Sequence, residues 1–189
     1  MAGQIVVVRH GETEWSASGR HTSATDLPLT EEGRRLAGEL ALRLQTYSFS
    51  AVLSSPLRRA RETCELSGYG ARAQLTDDLK EWSYGEYEGL TTPEIRQLNP
   101  DWVLWRDGCP GGETPAEVGA RADRVLDGLR VLEGNALVFA HGHILRVLTA
   151  RWLEMEPAAG SRLKLSAGGV SVLAFERDTA ALEQWNWTP

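Results

Sequence analysis

The chain has 189 residues, with 26 Asp and Glu against 20 Lys and Arg and a formal net charge of −6 when its four histidines are neutral. That length suits one domain, 1–189, able to bury about 70% of its unfolded surface, and the acidic balance excludes nucleic acid or an anionic membrane as the main target, so an anion site must be a local cationic pocket. No run approaches 18 apolar residues, the N-terminus lacks a basic segment leading into an apolar stretch, and Cys64 and Cys109 read as reduced thiols, which together point to a cytoplasmic protein with no membrane partner.

Residues 5–8, Ile-Val-Val-Val, predict a buried parallel strand that runs straight into Arg9, His10, Gly11, Glu12 and Thr13. The polar stretch 15–26 reads as a loop. Thr30 as N-cap, Glu31 and Glu32 in the first turn, and Leu36, Leu40 and Leu44 at helical spacing predict a helix. Residues 51–54 give a second short strand, and Ser55 reads as a cap followed by Pro56 at the first position of a helix carrying Arg58, Arg59, Arg61 and Leu66. Residues 71–76 form a weak third strand, 79–85 show no clean periodicity, and 92–98 predict a short helix stopped by Asn99-Pro100. The stretch 102–112 reads as an irregular, lid-like excursion. Thr114 and Glu117 make a capping box with Pro115 between them, starting a helix expected to reach Leu132. An apolar strand over 136–140 discharges into His141, Gly142 and His143, a helical run follows over 144–153, and two weaker strands at 170–175 and 182–187 close the chain.

This alternation predicts an α/β fold, a three-layer α/β/α sandwich with a mostly parallel central sheet. Ligands of open α/β sheets bind beyond the carboxyl ends of the strands. If the three apolar strands are parallel neighbours, Arg9 and His10, Ser54 just before Arg58, and His141 meet at one sheet edge. Two guanidinium forks and two imidazoles there suit a dianionic phosphoryl group. A metal centre finds no recognisable ligand set, there is no HExxH, and no GxxxxGK[ST] supports a nucleotide loop, so the reading needs no cofactor. Phosphoryl transfer can then use a covalent intermediate on a neutral imidazole flanked by positive charge, which makes His10 the natural nucleophile. The leaving oxygen needs a proton from a carboxyl group, with Glu12, Glu81, Glu86 and Glu88 as candidates.

Five motifs in order carry a resemblance: residues 9–13 (RHGET), 27–30 (LPLT), 54–60 (SSPLRRA), 81–90 (EWSYGEYEGL) and 141–142 (HG). Together they resemble branch 1 of the histidine phosphatase superfamily, the phosphoglycerate mutase-like family, and they span most of the chain. The resemblance implies a phosphoglycerate mutase-like fold, a phosphohistidine on His10, phosphate clamping by Arg9, Arg58 and His141, and Glu81 as proton donor. Residues 11–16, 25–30, 88–92 and 105–110 resemble more narrowly a group with actinobacterial acid phosphatases and fungal sedoheptulose-bisphosphatase-like enzymes. That favours hydrolysis of small phosphomonoesters such as sugar phosphates, with a phosphorylated small molecule as partner. Thr92 stands where mutases of the family carry a lysine, and Arg106 stands alone where they carry an arginine pair. Ser16 and Ser23 replace a common Asn and Gly, whereas Thr22 and Tyr84 match mutase substrate contacts. With Trp15, Gly142, Arg9 and Arg58, these four are the expected substrate-binding residues. A phosphoglycerate mutase and a phospho-ligand module without turnover stay as alternatives. Arg59 and Arg61 are expected to be solvated or ion-paired, His21 to be a loop residue, His143 a packing residue, and Glu12 an organiser of its loop. The sequence leaves open the specific phosphomonoester and the oligomeric state, a homodimer included.

Overall fold

A computed structural model describes residues 2–188. In chain order it runs β1 (Ala2–Arg9), α1 (Glu14–Ala17), α2 (Glu31–Leu44), β2 (Phe49–Ser54), α3 (Arg58–Leu66), β3 (Gln74–Leu75), α4 (Thr92–Leu98), α5 (Leu104–Asp107), α6 (Pro115–Arg130), β4 (Gly134–Ala140), α7 (Gly142–Trp152), β5 (Val170–Glu176) and β6 (Thr179–Trp187). The strands form one sheet in the order β3-β2-β4-β1-β5-β6. β3, β2, β4 and β1 are parallel, while β5 pairs antiparallel with both β1 and β6.

Burial on both faces explains the unbroken apolar runs of β1 and β4. Ile5 and Val7, with Ala136, Val138 and Ala140, face one core that includes Leu126 of α6 and Leu145 of α7; Val6 and Val8, with Leu137 and Phe139, face the other, with Leu40 and Leu44 of α2 and Cys64 of α3. Two helical layers therefore sandwich the sheet, as the alternation predicts. No described helix is long and apolar enough to cross a membrane.

Helix starts follow local capping chemistry. Thr30 accepts the Gly33 amide, and Thr91 and Thr114 each form a complete capping box with Glu94 and Glu117. Three stretches differ from the sequence reading. Residues 15–26 are not all loop, because Thr13 and Ser16 cap each other and start α1. α3 begins at Arg58 rather than Pro56, with Leu57 as its N-cap and no side-chain cap, while the Ser55 hydroxyl accepts the Leu57 amide and meets His141. The 102–112 segment is packed rather than lid-like: Trp102, Leu104 and Cys109 are buried in the core, and Trp102 Nε1 donates to the Gly108 carbonyl at 2.8 Å.

The turn after β1 is fixed by two glycines in contact. A Cβ on Gly11 would come within 2.6 Å of the Gly33 carbonyl, and one on Gly33 within 2.3 Å of the Glu12 carbonyl. The N-terminal turn of α2 thus lies directly against the backbone that carries His10. Glu12 organises this turn as expected, its Oε1 accepting the Thr30 hydroxyl at 3.0 Å and its carbonyl the Thr30 amide at 2.9 Å.

Candidate active site

Strand register brings the predicted strand ends together. Arg9 pairs with Ala140 and Ser54 with Phe139, so β4 delivers His141 between the ends of β1 and β2. The His10 amide donates to the Ala140 carbonyl at 2.9 Å and the Ser55 amide to the Phe139 carbonyl at 2.9 Å. The His10 and His141 rings end 5.1 Å apart.

His10 is only 4% exposed. Its Nδ1 lies 2.7 Å from the Gly11 carbonyl. A carbonyl only accepts, so Nδ1 carries the proton and Nε2 keeps a free lone pair. Burial first, then the guanidinium groups of Arg59 and Arg9, hold this imidazole well below the usual histidine range, so it is neutral near pH 7.

His141 is fully buried. Arg59 Nε donates to its Nδ1 at 3.1 Å, which leaves the proton on Nε2, donated to the Ser55 hydroxyl at 2.8 Å. Burial and Arg59 likewise push its pKa well down.

The arginine on α3 that belongs to this cluster is Arg59, not Arg58. Arg59 is fully buried, with Ala60, Thr63 and Cys64 on the same inward face, whereas the Arg58 side chain is 54% exposed and lies 3.9 Å from Glu62. Successive helical residues are about 100° apart, so only one of two adjacent arginines can face inward. Arg59 also donates to the carbonyls of Thr22, Ser23 and Thr25 at 3.1, 3.3 and 3.1 Å. The expectation that it would be solvated is overturned with the Arg58 assignment.

Arg9 donates to the Leu165 carbonyl at 2.6 Å, while its buried Nε has no partner. Buried polar atoms are normally satisfied, and an anion held at the Arg9 guanidinium would satisfy this one.

Glu81 is 6% exposed and sits against the N-terminus of α7. Its Oε1 accepts the amides of Trp82, His143 and Ile144 at 2.9, 3.1 and 2.9 Å, and its Oε2 accepts only the His143 amide, at 3.0 Å. From α6, Arg121 braces the same segment by donating to the carbonyls of Asp78 and Lys80, both at 2.8 Å.

Arg9, His10 and Glu81 open onto a cavity of about 240 Å³. Of the expected residues, Arg9, His10, Ser16, Thr22, Glu81, Tyr84 and Gly142 line it. Trp15, Ser23, Arg58 and His141 do not; His141 lies fully buried behind His10. The Trp15 ring lies over Gly89, and Ser23 is buried in its loop, gripped through its backbone. Arg20, His21, Thr92, His143 and Arg146 line the cavity without having been singled out for it. His143 Nδ1 shares a 2.6 Å hydrogen bond with the Tyr84 hydroxyl, and the Arg146 guanidinium lies 4.5 Å from the Trp105 ring centroid. Helical spacing was the available signal for His143 and Arg146, which share the first turns of α7 with Gly142. Among the described residues, Glu81 is the only carboxyl lining the cavity, and no three His, Cys, Asp or Glu side chains gather as a metal-binding set. Burial pushes the Cys64 and Cys109 thiols up to about 12, so both are inert at neutral pH.

A family model described as histidine phosphatase superfamily (branch 1) matches residues 5–188. The chain belongs to this superfamily. It is 40% identical over 184 residues to an acid phosphatase of Mycobacterium tuberculosis, covering 95% of this chain and 90% of that one. It is also 40% identical over 181 residues to the sedoheptulose 1,7-bisphosphatase of Saccharomyces cerevisiae, covering 79% and 67%. A solved structure of an open reading frame product from Mycobacterium tuberculosis matches with a TM-score of 0.92 at 36% identity, covering 100% and 99%. Family and relatives make this histidine phosphatase an enzyme of the phosphatase class, and its mixed six-stranded sandwich is the expected phosphoglycerate mutase-like fold.

Holding three histidines neutral has a cost in acid. His10, His141 and His143 all titrate well below 6.5 in the folded protein, burial being the largest cause for each. In the unfolded chain they take up protons near 6.5. As pH falls below that value the unfolded state binds protons that the folded state refuses, and stability drops by up to about 1.4 kcal/mol per pH unit for each histidine. The urea midpoint is expected to fall between pH 7.5 and 5.5, and a flat midpoint across that window contradicts the assignment.

Proposed function

We propose that the protein hydrolyses small phosphomonoesters, sugar phosphates among them, by two successive displacements through a phosphohistidine on His10. The observation that carries this reading is the His10 ring itself: Nδ1–H anchored on the Gly11 carbonyl, Nε2 unprotonated, neutral, and lining a cationic cavity.

In the first displacement His10 Nε2 attacks phosphorus and the bond from phosphorus to the ester oxygen breaks. The orphaned Nε of Arg9 supplies a donor to the phosphoryl oxygens, and the positive charge of Arg59 lies behind His10 and His141. Glu81, with Oε2 the less engaged of its two oxygens, gives a proton to the departing alkoxide. In the second displacement the resulting carboxylate takes a proton from water as the water oxygen attacks phosphorus, which breaks the phosphorus–nitrogen bond and frees inorganic phosphate. Ser16, Thr22, Tyr84 and Gly142 contact the rest of the substrate, and no step requires a metal ion.

Inorganic phosphate release tests this reading over a panel of sugar monophosphates, sugar bisphosphates, phosphoglycerates and an aryl phosphate, with and without EDTA. Release that EDTA leaves unchanged is expected. Movement of the phosphoryl group between hydroxyls with no free phosphate, binding without release, or loss of release in EDTA contradicts it.

A further inference from the structure

The loop 22–25 at the cavity edge is gripped from two sides. From α3, the Arg59 guanidinium donates to the carbonyls of Thr22, Ser23 and Thr25 and to His141 Nδ1. From the opposite side, the Glu88 carboxylate accepts the Ser23 amide on both oxygens, at 2.8 and 3.0 Å, and the Thr25 amide at 3.0 Å. One short peptide thus gives its carbonyls to a cation and its N–H groups to an anion. Glu88 also ends a seam in which this loop lies along the chain that follows it. The Gly89 amide donates to the His21 carbonyl at 2.8 Å, the His21 amide to the Leu90 carbonyl at 2.9 Å, and Arg20 bridges antiparallel to Thr91.

Among the described residues, no Arg, Lys or His nitrogen lies within 4.0 Å of the Glu88 carboxylate. Its charge is met by backbone N–H groups instead. A half-buried carboxylate with no cationic partner costs stability unless such donors satisfy it.

We infer that Glu88 is a positioning residue for this active site: by fixing the Ser23 and Thr25 amides it aims the loop carbonyls that hold the Arg59 guanidinium against His141 and beside His10. The inference rests on the phosphohistidine reading. It assigns Glu88 no contact with the substrate. Its effect is transmitted through Arg59, and through Thr22, which lines the cavity.

Glu88→Ala and Glu88→Gln, compared with the unaltered protein, test it. The alanine variant is expected to lower kcat/KM by about 10- to 100-fold, the scale of losing several hydrogen bonds to a charged group. The acid limb of its kcat/KM profile should also move to higher pH. His10 faces Arg9 from β1, Arg59 from α3, His141 from the end of β4 and Glu81 across the cavity, and of these only Arg59 is held by the loop that Glu88 grips. A guanidinium free to drift depresses the His10 pKa less. Glutamine keeps Oε1 for both amides and places an NH2 against the Ser23 N–H, so it should restore most of the rate with a smaller pH shift.

Unchanged kcat/KM and pH profile in the alanine variant, or a lowered melting temperature with the pH profile unmoved, overturns the inference. If the alanine variant does not fold, the glutamine variant decides alone: an upward shift of its acid limb supports the inference and an unmoved limb overturns it. Alkaline-quenched labelling of the unaltered protein with a phosphoryl-labelled substrate separates the two failures. An unlabelled His10 there sinks the phosphohistidine reading, whereas a labelled His10 with unaffected Glu88 variants sinks the inference alone.

Discussion

Replacing His10 with alanine is expected to lower kcat by roughly 10⁴-fold or more while leaving the chain folded, because loss of a nucleophile removes the covalent route altogether. The imidazole beside His10, that of His141, cannot substitute, because both its nitrogens are committed, one accepting from Arg59 and the other donating to Ser55. The stability cost is far smaller. His10 contributes one side-chain hydrogen bond, to the Gly11 carbonyl, and leaving that buried acceptor unmet costs about 1–3 kcal/mol. Circular dichroism and thermal melting should therefore report a folded, weakened protein while phosphate release disappears. Turnover that survives the substitution removes His10 from the chemistry.

The second large effect separates two adjacent arginines. Arg59→Lys is expected to lower kcat/KM by about 10²–10³-fold, the scale of losing a preorganised charged donor. A single ammonium cannot reach three loop carbonyls and His141 at once, so both the loop and the imidazole lose their brace. The acid limb should rise as well, because Arg59 contributes to depressing both His10 and His141. Arg58→Ala should leave kcat/KM close to that of the unaltered protein and change stability by less than about 0.5 kcal/mol, as befits an exposed side chain 3.9 Å from its nearest carboxylate. Equal losses for the two variants, or a larger loss at Arg58, contradicts the orientation of α3.

Much of this arrangement was legible in the sequence because it rests on strong local patterns. The apolar runs of β1 and β4 mark strands buried on both faces, and parallel pairing through β4 brings their polar ends to one edge. The capping box at Thr114 states where α6 begins. The Arg58 assignment failed where the pattern is most sensitive to phase, since one residue along a helix turns a side chain by about 100°. The spacing of Arg59 with Ala60, Thr63 and Cys64 contained the answer, as those three are the small or apolar positions that must face the sheet. Trp15 and Ser23 failed for a different reason. Trp15 lies on α1 and Ser23 on the loop that follows it, a stretch whose path is set by hydrogen bonds to residues distant in sequence, Arg59 and Glu88 among them. Nothing in the spacing of Glu81, Glu86 and Glu88 distinguishes a carboxylate that faces the cavity from one that grips a loop. That difference comes from the N-terminus of α7, which claims Glu81, and from the amides of Ser23 and Thr25, which claim Glu88.

The covalent intermediate is the claim on which the rest depends, and rapid alkaline quenching reaches it most directly, since phosphohistidine survives in base. Protein mixed with a phosphoryl-labelled sugar phosphate and quenched within a single turnover is expected to carry one labelled phosphoryl group per chain, on Nε2 of His10 and on no other residue. Phosphate released at full rate with His10 unlabelled throughout would contradict the account.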